Sequence, residues 1–218
     1  MEGANKMAIK EQRETKSEVM VAAVDLFYTK GYHATSIREI SAKAGVNIAT
    51  VSYYFSGKQG LLEECLIAFF EPYLNVLEKE VQPVRLVGPS ESSSTMKAAL
   101  AALEYQQKHH RFARFAWREV TMDSQMVREM MTCYLRKEQY LWKVLLAQDI
   151  EKGISLKISP SFFLMQLTFM ISMPFLQSQS LREIWNMNPG EKLFTRNYSS
   201  IMMEWFRSIT CESSTMLS

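Results

Sequence analysis

Residues 47–54, NIATVSYY, carry side chains that are suited to recognising a nucleic acid. The Thr50 hydroxyl can hydrogen-bond a base edge or a phosphate, Ile48 can contact a thymine methyl group, and Tyr53 can reach either a phosphate or a base. Small and weakly polar side chains also allow a helix to enter the DNA major groove, which is about 12 Å wide. The chemistry indicated is non-covalent DNA recognition, provided that this segment is helical.

Two alternatives exist for this segment, a buried strand or a short helix. Val51, Tyr53 and Phe55 alternate as they would in a strand. However, Gly45 is suited to a left-handed helix end, and Asn47 is suited to a helix N-cap. We therefore predict a short helix that packs Val51, Tyr54 and Phe55 inward. Its N-terminal end and outer face would hold Asn47, Ile48, Ala49, Thr50 and Tyr53.

The preceding residues predict two further helices. Apolar residues recur at intervals of three and four between Lys16 and Lys30, as in an amphipathic helix that ends at Gly31. Ser36 and Glu39 then have the spacing of a capping box at the start of a second helix. Two short helices joined by a three- or four-residue turn that contains glycine form a helix-turn-helix.

The segment GYHATSIREISAKAGVNIATVSYYFSGKQGLLEECL resembles the N-terminal domain of the TetR/AcrR family of bacterial DNA-binding regulators. The resemblance is specific over residues 13–66. It implies a homodimer with an all-helical C-terminal domain that dimerises and often binds a ligand. Ser41 and Ser52 depart from the commonest family pattern, and a phosphate contact often made at the Ser52 position would be lost or pass to Tyr53.

Lys58 begins the helix after the recognition segment, beside the positive end of the helix dipole. A cation there is unfavourable for the helix alone, and a phosphate bound at that end would explain it. The plainer alternative is that these helices form the core of any small helical domain. The residues predicted to bind double-stranded DNA are Thr35, Ser36, Arg38, Asn47, Ile48, Ala49, Thr50, Tyr53, Tyr54 and Lys58.

Composition fits a globular protein but does not itself indicate DNA. The chain has 218 residues, 47% of them hydrophobic, and a net charge of +2. Residues 1–60 contain eight Lys/Arg against six Asp/Glu, so the motif rather than the charge carries the DNA prediction. No apolar run reaches the ~18 residues of a membrane span, and we expect no membrane partner.

The cysteine content and the N-terminus indicate the compartment. Three widely spaced cysteines do not suggest a disulfide framework and fit a reducing environment. The polar N-terminus lacks a secretory hydrophobic segment. We expect a cytoplasmic protein associated with the nucleoid.

No pattern indicates an enzyme. His33, His109 and His110 are the only histidines, and the adjacent pair would point about 100° apart on a helix, which is poor spacing for a metal. Catalytic and nucleotide-binding motifs are absent from the sequence. We predict no catalytic residue, metal or cofactor. Cys65 is either a redox sensor or a buried small hydrophobe.

The predicted fold class is all-α, with a three-helix DNA-binding head and a larger helical core and dimerisation domain. The expected divisions are a flexible arm at 1–12, the head at 13–57, the helical domain at 58–211 and a tail at 212–218. Helices are expected from 58 to about 80, and at 95–109, 111–121, 124–152, 159–180 and 189–210, with a loop at 83–95 and no strand.

Two apolar segments are candidates for a dimer interface. Residues 162–176 are apolar nearly all round, and residues 198–209 carry apolar residues at steps of three and four. Pairing with their symmetry mates would form a four-helix interface, whereas the alternative is that they are core of one subunit. The predicted interface residues are Phe169, Met173, Ile201, Trp205 and Ile209.

The larger domain leaves two classes of function open. Its many methionines, among 15 in the chain, indicate either a pocket for a small hydrophobic ligand or gap-filling in the core. Arg111, Arg114 and Arg118 share one helical face, which is either solvated or a docking surface for an acidic protein.

A ligand would make the protein a repressor that a small molecule releases from DNA. A docking surface would make it a DNA-bound protein that acts on a partner. The recognition segment and the Arg-rich helix resemble the TetR-like division regulator of spore-forming bacilli, which acts on FtsZ. That resemblance makes action on FtsZ the leading hypothesis and ligand response the alternative.

Overall fold

The computed structural model describes residues 2–81, 93–122 and 124–212 of the chain. This part forms ten α-helices and two short strands. The helices are α1 (Glu2–Lys30), α2 (Ile37–Ala44), α3 (Ile48–Phe55), α4 (Lys58–Glu80), α5 (Ser94–Lys108), α6 (His110–Thr121), α7 (Gln125–Glu151), α8 (Pro160–Leu176), α9 (Ser178–Trp185) and α10 (Lys192–Ile209). The strands are β1 (Ile154–Leu156) and β2 (Thr210–Glu212). Residues 83–92 of the predicted loop and 213–218 of the predicted tail lie outside the described residues.

The chain divides into two compact units, residues 1–69 and 70–218, which we call the head and the core unit. In the head, α1 packs on α2 and α2 packs on α3. The boundary lies beyond the expected residue 57 because the first half of α4 belongs to the head. Its Leu61 and Leu62 are fully buried, and Glu64 accepts a 3.0 Å hydrogen bond from Lys16 Nζ of α1.

Helix α1 begins at Glu2, so the prediction of a flexible arm at residues 1–12 is wrong for residues 2–12. The segment has no proline, and most of it consists of good helix formers. A Lys10–Glu14 ion pair at 3.8 Å, four residues apart, adds local support to the helix. The arm is therefore a continuation of α1.

The helix ends of the head confirm the predicted capping residues. Ser36 caps α2 by accepting a hydrogen bond from the Glu39 amide at 3.2 Å, and the Glu39 carboxylate accepts one from the Ser36 amide at 2.8 Å. Gly45 ends α2 in the left-handed conformation with φ +68°. The Asn47 side chain caps α3 by accepting from the Ala49 amide at 3.0 Å.

The core unit is built around α5, which packs on α7, α8 and α10, while α6 packs on α8. Large aromatic side chains fill its interior, and Tyr73, Phe115, Trp142, Phe163 and Phe175 are all almost fully buried. Helix boundaries from α4 to α7 agree with the predictions to within one or two residues. The predicted all-α fold class is confirmed.

The predicted helix at 159–180 is wrong at its C-terminal end, because α8 stops at Leu176 and α9 begins at Ser178. Pro174 lies near the end of α8 and has no amide proton to donate to the Met170 carbonyl. The Tyr198 hydroxyl of α10 donates to that carbonyl instead, at 3.0 Å. A proline near a helix end thus removes a hydrogen bond from the last turns of α8, which ends two residues later.

The two strands were not predicted. They pair antiparallel, with Ile154 opposite Glu212 and Leu156 opposite Thr210. Three residues are too few to show an alternating pattern, and the turn before β1 depends on Gly153, whose φ is +96°. None of the described helices is both long and apolar enough to cross a membrane.

Candidate DNA interface

Helix α3 buries one face and exposes the other. Val51 and Phe55 are 0% and 3% exposed, as predicted for the inward face. On the other face Ile48 is 41% exposed and Tyr53 is 77% exposed. A tyrosine this exposed contributes little to the fold, so the outer face is available for a partner.

The turn after α3 fixes the direction of this helix. Ser56 and Gly57 both have left-handed backbone conformations, with φ of +54° and +105°. Gly60 in the first turn of α4 lies so close to the end of α3 that a Cβ atom there would be 1.9 Å from the Phe55 carbonyl oxygen. Only glycine allows this approach, and α3 is thereby held tightly against the start of α4.

Most of the predicted DNA-binding residues lie on the head surface. Arg38, Asn47, Ile48, Ala49 and Tyr53 are exposed. The remaining surface members, Thr50, Tyr54 and Lys58, are half-buried. The DNA contacts of this set stay predictions.

Thr35 is the one buried member of the predicted DNA-binding set, and its DNA contact stays a prediction. The Thr35 side chain is 2% exposed and its hydroxyl donates to the Gly31 carbonyl at 2.8 Å, so it closes the end of α1. Ser36 is exposed, but its hydroxyl accepts from the Glu39 amide and donates to the Glu39 carboxylate. Both residues therefore serve the turn between α1 and α2.

Lys58 is positioned by the same turn. Its Nζ donates to the His33 carbonyl at 3.3 Å and lies 4.4 Å from the centre of the Tyr32 ring. A cation over an aromatic ring is favourable by about 0.5–1 kcal/mol at exposed sites. These contacts explain the cation at the start of α4 without a phosphate.

Two basic residues of α1 were missed by the sequence analysis. Arg13 and Lys16 border a surface concavity of about 530 Å³ together with Gln12, Tyr53 and Tyr54. Lys16 Nζ also lies 5.5 Å from the centre of the Phe55 ring. The only signal in the sequence was two cations three residues apart, because nothing local shows which face of α1 adjoins α3.

Comparisons with known proteins agree with this geometry. A family model described as bacterial regulatory proteins of the tetR family matches residues 19–65. The chain is also 36% identical over 195 residues to a probable HTH-type transcriptional regulator, YttP, of Bacillus subtilis. That alignment covers 89% of this chain and 93% of the relative.

The chain belongs to the TetR family. It is a DNA-binding transcriptional regulator of the TetR type and not an enzyme.

Solved structures of other regulators share its fold. A tetR-family regulatory protein from Rhodococcus RHA1 has a TM-score of 0.70 at 17% identity and covers 90% of this chain and 97% of its own. The regulator FadR from Bacillus subtilis, solved in complex with stearoyl-CoA, has a TM-score of 0.66 at 14% identity and covers 85% and 96%. At these identities the likeness shows the fold alone.

The predicted dimer residues of this TetR-family protein are partly exposed. On α8, Phe169 and Met173 are 57% and 41% exposed, and on α10 Ile201 is 55% exposed. Trp205 and Ile209 are half-buried, and the Trp205 ring stacks on Phe163 with ring centres 5.5 Å apart. The outward residues of α8 and α10 thus present an apolar surface, which we call the α8/α10 face.

The predicted Arg surface on α6 is partly engaged within its own subunit. An Arg118 guanidinium nitrogen lies 3.3 Å from the carboxylate of Glu119, whose side chain is 8% exposed. Arg114 donates to the Gln179 side chain at 3.0 Å, and Arg111 is exposed. These contacts correspond to the local pairing that was the plainer alternative.

The core unit also contains a cavity of about 490 Å³ lined by side chains of α6, α7 and α8. Most of its lining is apolar or aromatic and includes Trp117, Trp142 and Leu164. Phe169 of the α8/α10 face lines it as well. A volume of this size is within the range of about 300–1,000 Å³ found for small-molecule sites.

Cys65 is fully buried, and burial raises the pKa of its thiol. A thiol that resists ionisation is a poor redox sensor, since the thiolate is the reactive form. Of the two alternatives for this residue, the structure favours the buried small hydrophobe.

Proposed function

We propose that this regulator binds inverted-repeat DNA as a homodimer, with the outer face of α3 in the major groove. The observation that carries the proposal is that α3 has one buried and one exposed face: Val51 and Phe55 are buried, whereas Tyr53 is 77% exposed. Regulators with a helix-turn-helix place the second helix in the major groove and use two-fold symmetry to read two half-sites.

The α8/α10 face supports the homodimer. Phe169 and Ile201 are large apolar side chains that remain more than half exposed in a single subunit. Contiguous exposed apolar surface is typical of protein interfaces. A second copy that covers this face would form the four-helix interface expected from the sequence.

The test selects bound sequences from random DNA and measures their affinity by gel shift. The expected site is an inverted repeat with half-site centres about 34–36 Å apart or slightly more. Thr50→Ala should relax the sequence preference, whereas Lys58→Ala should weaken binding uniformly and reduce the salt slope by about one. Tight binding of a monomer to one half-site would contradict the proposal.

The cavity supports a second proposed function, in which a small molecule releases the protein from DNA. An apolar cavity with a few polar groups is the usual form of a ligand site. Because Phe169 belongs both to its lining and to the α8/α10 face, a ligand that moves this ring would alter the dimer interface. The structurally similar regulator FadR was solved in complex with stearoyl-CoA, which is a ligand of FadR.

We also propose, on the sequence resemblance alone, action on a protein partner in cell division, with FtsZ as the partner. Genome-wide mapping of bound DNA with transcript levels after deletion separates it from ligand-controlled repression. Bound sites without expression changes would favour the partner, and expression changes at bound genes would favour repression. We also propose a cytoplasmic, nucleoid-associated location, which a fluorescent fusion would test in the same strains.

A further inference from the structure

Glu138 of α7 is a buried carboxyl group in the wall of the core-unit cavity. Glu138 is 8% exposed, and its side chain lines the cavity together with Trp117 and Trp142. One carboxyl oxygen, Oε1, accepts hydrogen bonds from the Tyr73 hydroxyl at 2.7 Å and from Trp142 Nε1 at 3.4 Å. The other, Oε2, accepts none from the residues that the structure describes.

A carboxyl oxygen that has no donor within the protein and belongs to the cavity lining can accept a hydrogen bond from a ligand. Burial raises the pKa of Glu138, because removal of the carboxyl group from water disfavours its ionised form. A cation beside the carboxylate would favour ionisation and would gain a charge-assisted hydrogen bond.

The other inner polar groups of the cavity are also acceptors. On α8 the Thr168 hydroxyl donates to the Leu164 carbonyl at 3.0 Å, and the Ser172 hydroxyl donates to the Thr168 carbonyl at 2.9 Å. The indole N–H of Trp117 donates to Gln106 at 2.6 Å. Since these hydrogens are used within the protein, the hydroxyl oxygens are what remain for a ligand.

The donors that line the cavity lie on exposed residues. Gln139, Lys143 and Ser161 are all exposed, whereas Glu138 is buried. The polar groups of the cavity are therefore segregated: the acidic group lies at the buried inner end, and the hydrogen-bond donors lie at the exposed outer end. The Trp117 and Trp142 rings in the wall add faces that attract organic cations.

We propose that the cavity binds an organic ammonium cation with an apolar body, and that Glu138 holds its charged group. The apolar body would lie against Leu164, Met165 and Phe169 on α8. This inference rests on the ligand-responsive function proposed above and names the chemical class of its ligand. A fatty carboxylate would instead bring a second carboxyl group to Glu138, where the inner lining that the structure describes offers no cation to balance its charge.

The experiment is calorimetric titration of the full-length protein with decylammonium, decanoate and decanol below their micelle-forming concentrations. The three probes share one hydrocarbon chain and differ in charge. Decylammonium should bind at least about tenfold more tightly than decanoate, which is the effect of one hydrogen bond to a charged group. Glu138→Gln should weaken decylammonium about tenfold and leave decanol within about twofold.

Glu129→Gln is the matched control, because Glu129 is an exposed carboxylate of α7 outside the cavity lining. It makes the same charge change and should alter no affinity. Circular dichroism shows whether Glu138→Gln is folded. If it is not, Lys143→Gln decides the matter, since loss of that cation should strengthen decylammonium binding and weaken decanoate binding.

A gel shift with the selected DNA site and each probe separates this inference from the function on which it rests. Decylammonium binding that depends on Glu138 but leaves the DNA complex intact supports the ligand class and contradicts ligand-controlled release. Release by decanoate or decanol, with weaker decylammonium binding, overturns the cation proposal while ligand control stands. Equal decylammonium affinity in wild type and Glu138→Gln, or no binding of any probe, also overturns it.

Discussion

The head and the core unit differ in how they treat buried polar side chains. Among the described residues, the head buries Thr35 and Ser41, and each hydroxyl donates to a carbonyl three or four residues away. The core unit buries eight polar side chains, of which Glu119, Glu138 and Asp149 are carboxylates. Two of these carboxylates bind partners 54 to 65 residues away in the chain. The buried polar side chains of the head therefore make local hydrogen bonds, whereas those of the core unit include distant ones.

The largest expected effect is on Asp149, the carboxylate that joins α7 to the start of α5. Asp149 is fully buried and accepts from the Ser94 amide at 2.7 Å, from the Thr95 amide at 3.0 Å and from the Ser93 hydroxyl. Asp149→Ala leaves buried donors unsatisfied and should lower the free energy of unfolding by about 3 kcal/mol. Urea denaturation measures this loss.

Asp25→Ala in the head is the counterpart. The Asp25 carboxylate pairs with Lys43, whose side chain is 42% exposed, and exposed pairs contribute about 0–1 kcal/mol. Equal losses in the free energy of unfolding for Asp149→Ala and Asp25→Ala would contradict the difference between the core unit and the head.

Gly60→Ala tests the tight junction after α3. The new Cβ would lie 1.9 Å from the Phe55 carbonyl oxygen, so the helices must separate, at a cost of about 1–3 kcal/mol. DNA affinity should fall as well, although no DNA-facing side chain changes. Gln59→Ala, at the neighbouring exposed position, should leave both quantities unchanged; a similar loss there would mean that α4 rather than the junction is sensitive.

Tyr53→Ala separates binding from stability. The side chain is 77% exposed, so the free energy of unfolding should change by less than about 0.5 kcal/mol. Affinity for the selected site should fall about tenfold, as for one lost DNA contact. Tyr140 of α7 is 64% exposed and supplies the control, because Tyr140→Ala should leave DNA affinity intact. Unchanged affinity for Tyr53→Ala would remove α3 from the interface.

The smallest effects concern two glutamates with opposite pH dependence. The hydrogen bond from Lys30, followed by those from Ser36, lowers the pKa of Glu39 from 4.5 to about 2. Its contribution to stability is complete above pH 4.5 and is lost as the pH falls towards 2. Burial raises the pKa of Glu138, so stability falls as the pH rises above 4.5 until that raised pKa is passed.

Unfolding measured across this acidic range in the Glu39→Gln and Glu138→Gln variants checks the two signs. In Glu39→Gln, the decrease in stability as the pH falls towards 2 should disappear. In Glu138→Gln, the decrease in stability as the pH rises above 4.5 should disappear. Side-chain NMR titration of Glu39 gives its pKa directly. Two dependences of the same sign would show that both carboxylates have similar surroundings.

The same contrast explains what the sequence could predict. Ser36, Gly45 and Asn47 act on residues two to four positions away, so their spacing alone predicted the helix ends of the head. Glu138 and Tyr73 are 65 residues apart, and no local pattern places them together. For the same reason Arg13 and Lys16 were missed, while Thr35 matched the family motif although its side chain closes a turn.

The contact between α8 and α10 has a consequence for how this sequence can change through evolution. Pro174 deprives the Met170 carbonyl of its helical donor, and the Tyr198 hydroxyl supplies one at 3.0 Å. Loss of the tyrosine alone leaves that carbonyl without a donor, whereas loss of the proline alone makes the tyrosine hydroxyl dispensable. Substitutions at these two positions should therefore arise in a fixed order among descendants, with proline replaced first and tyrosine afterwards.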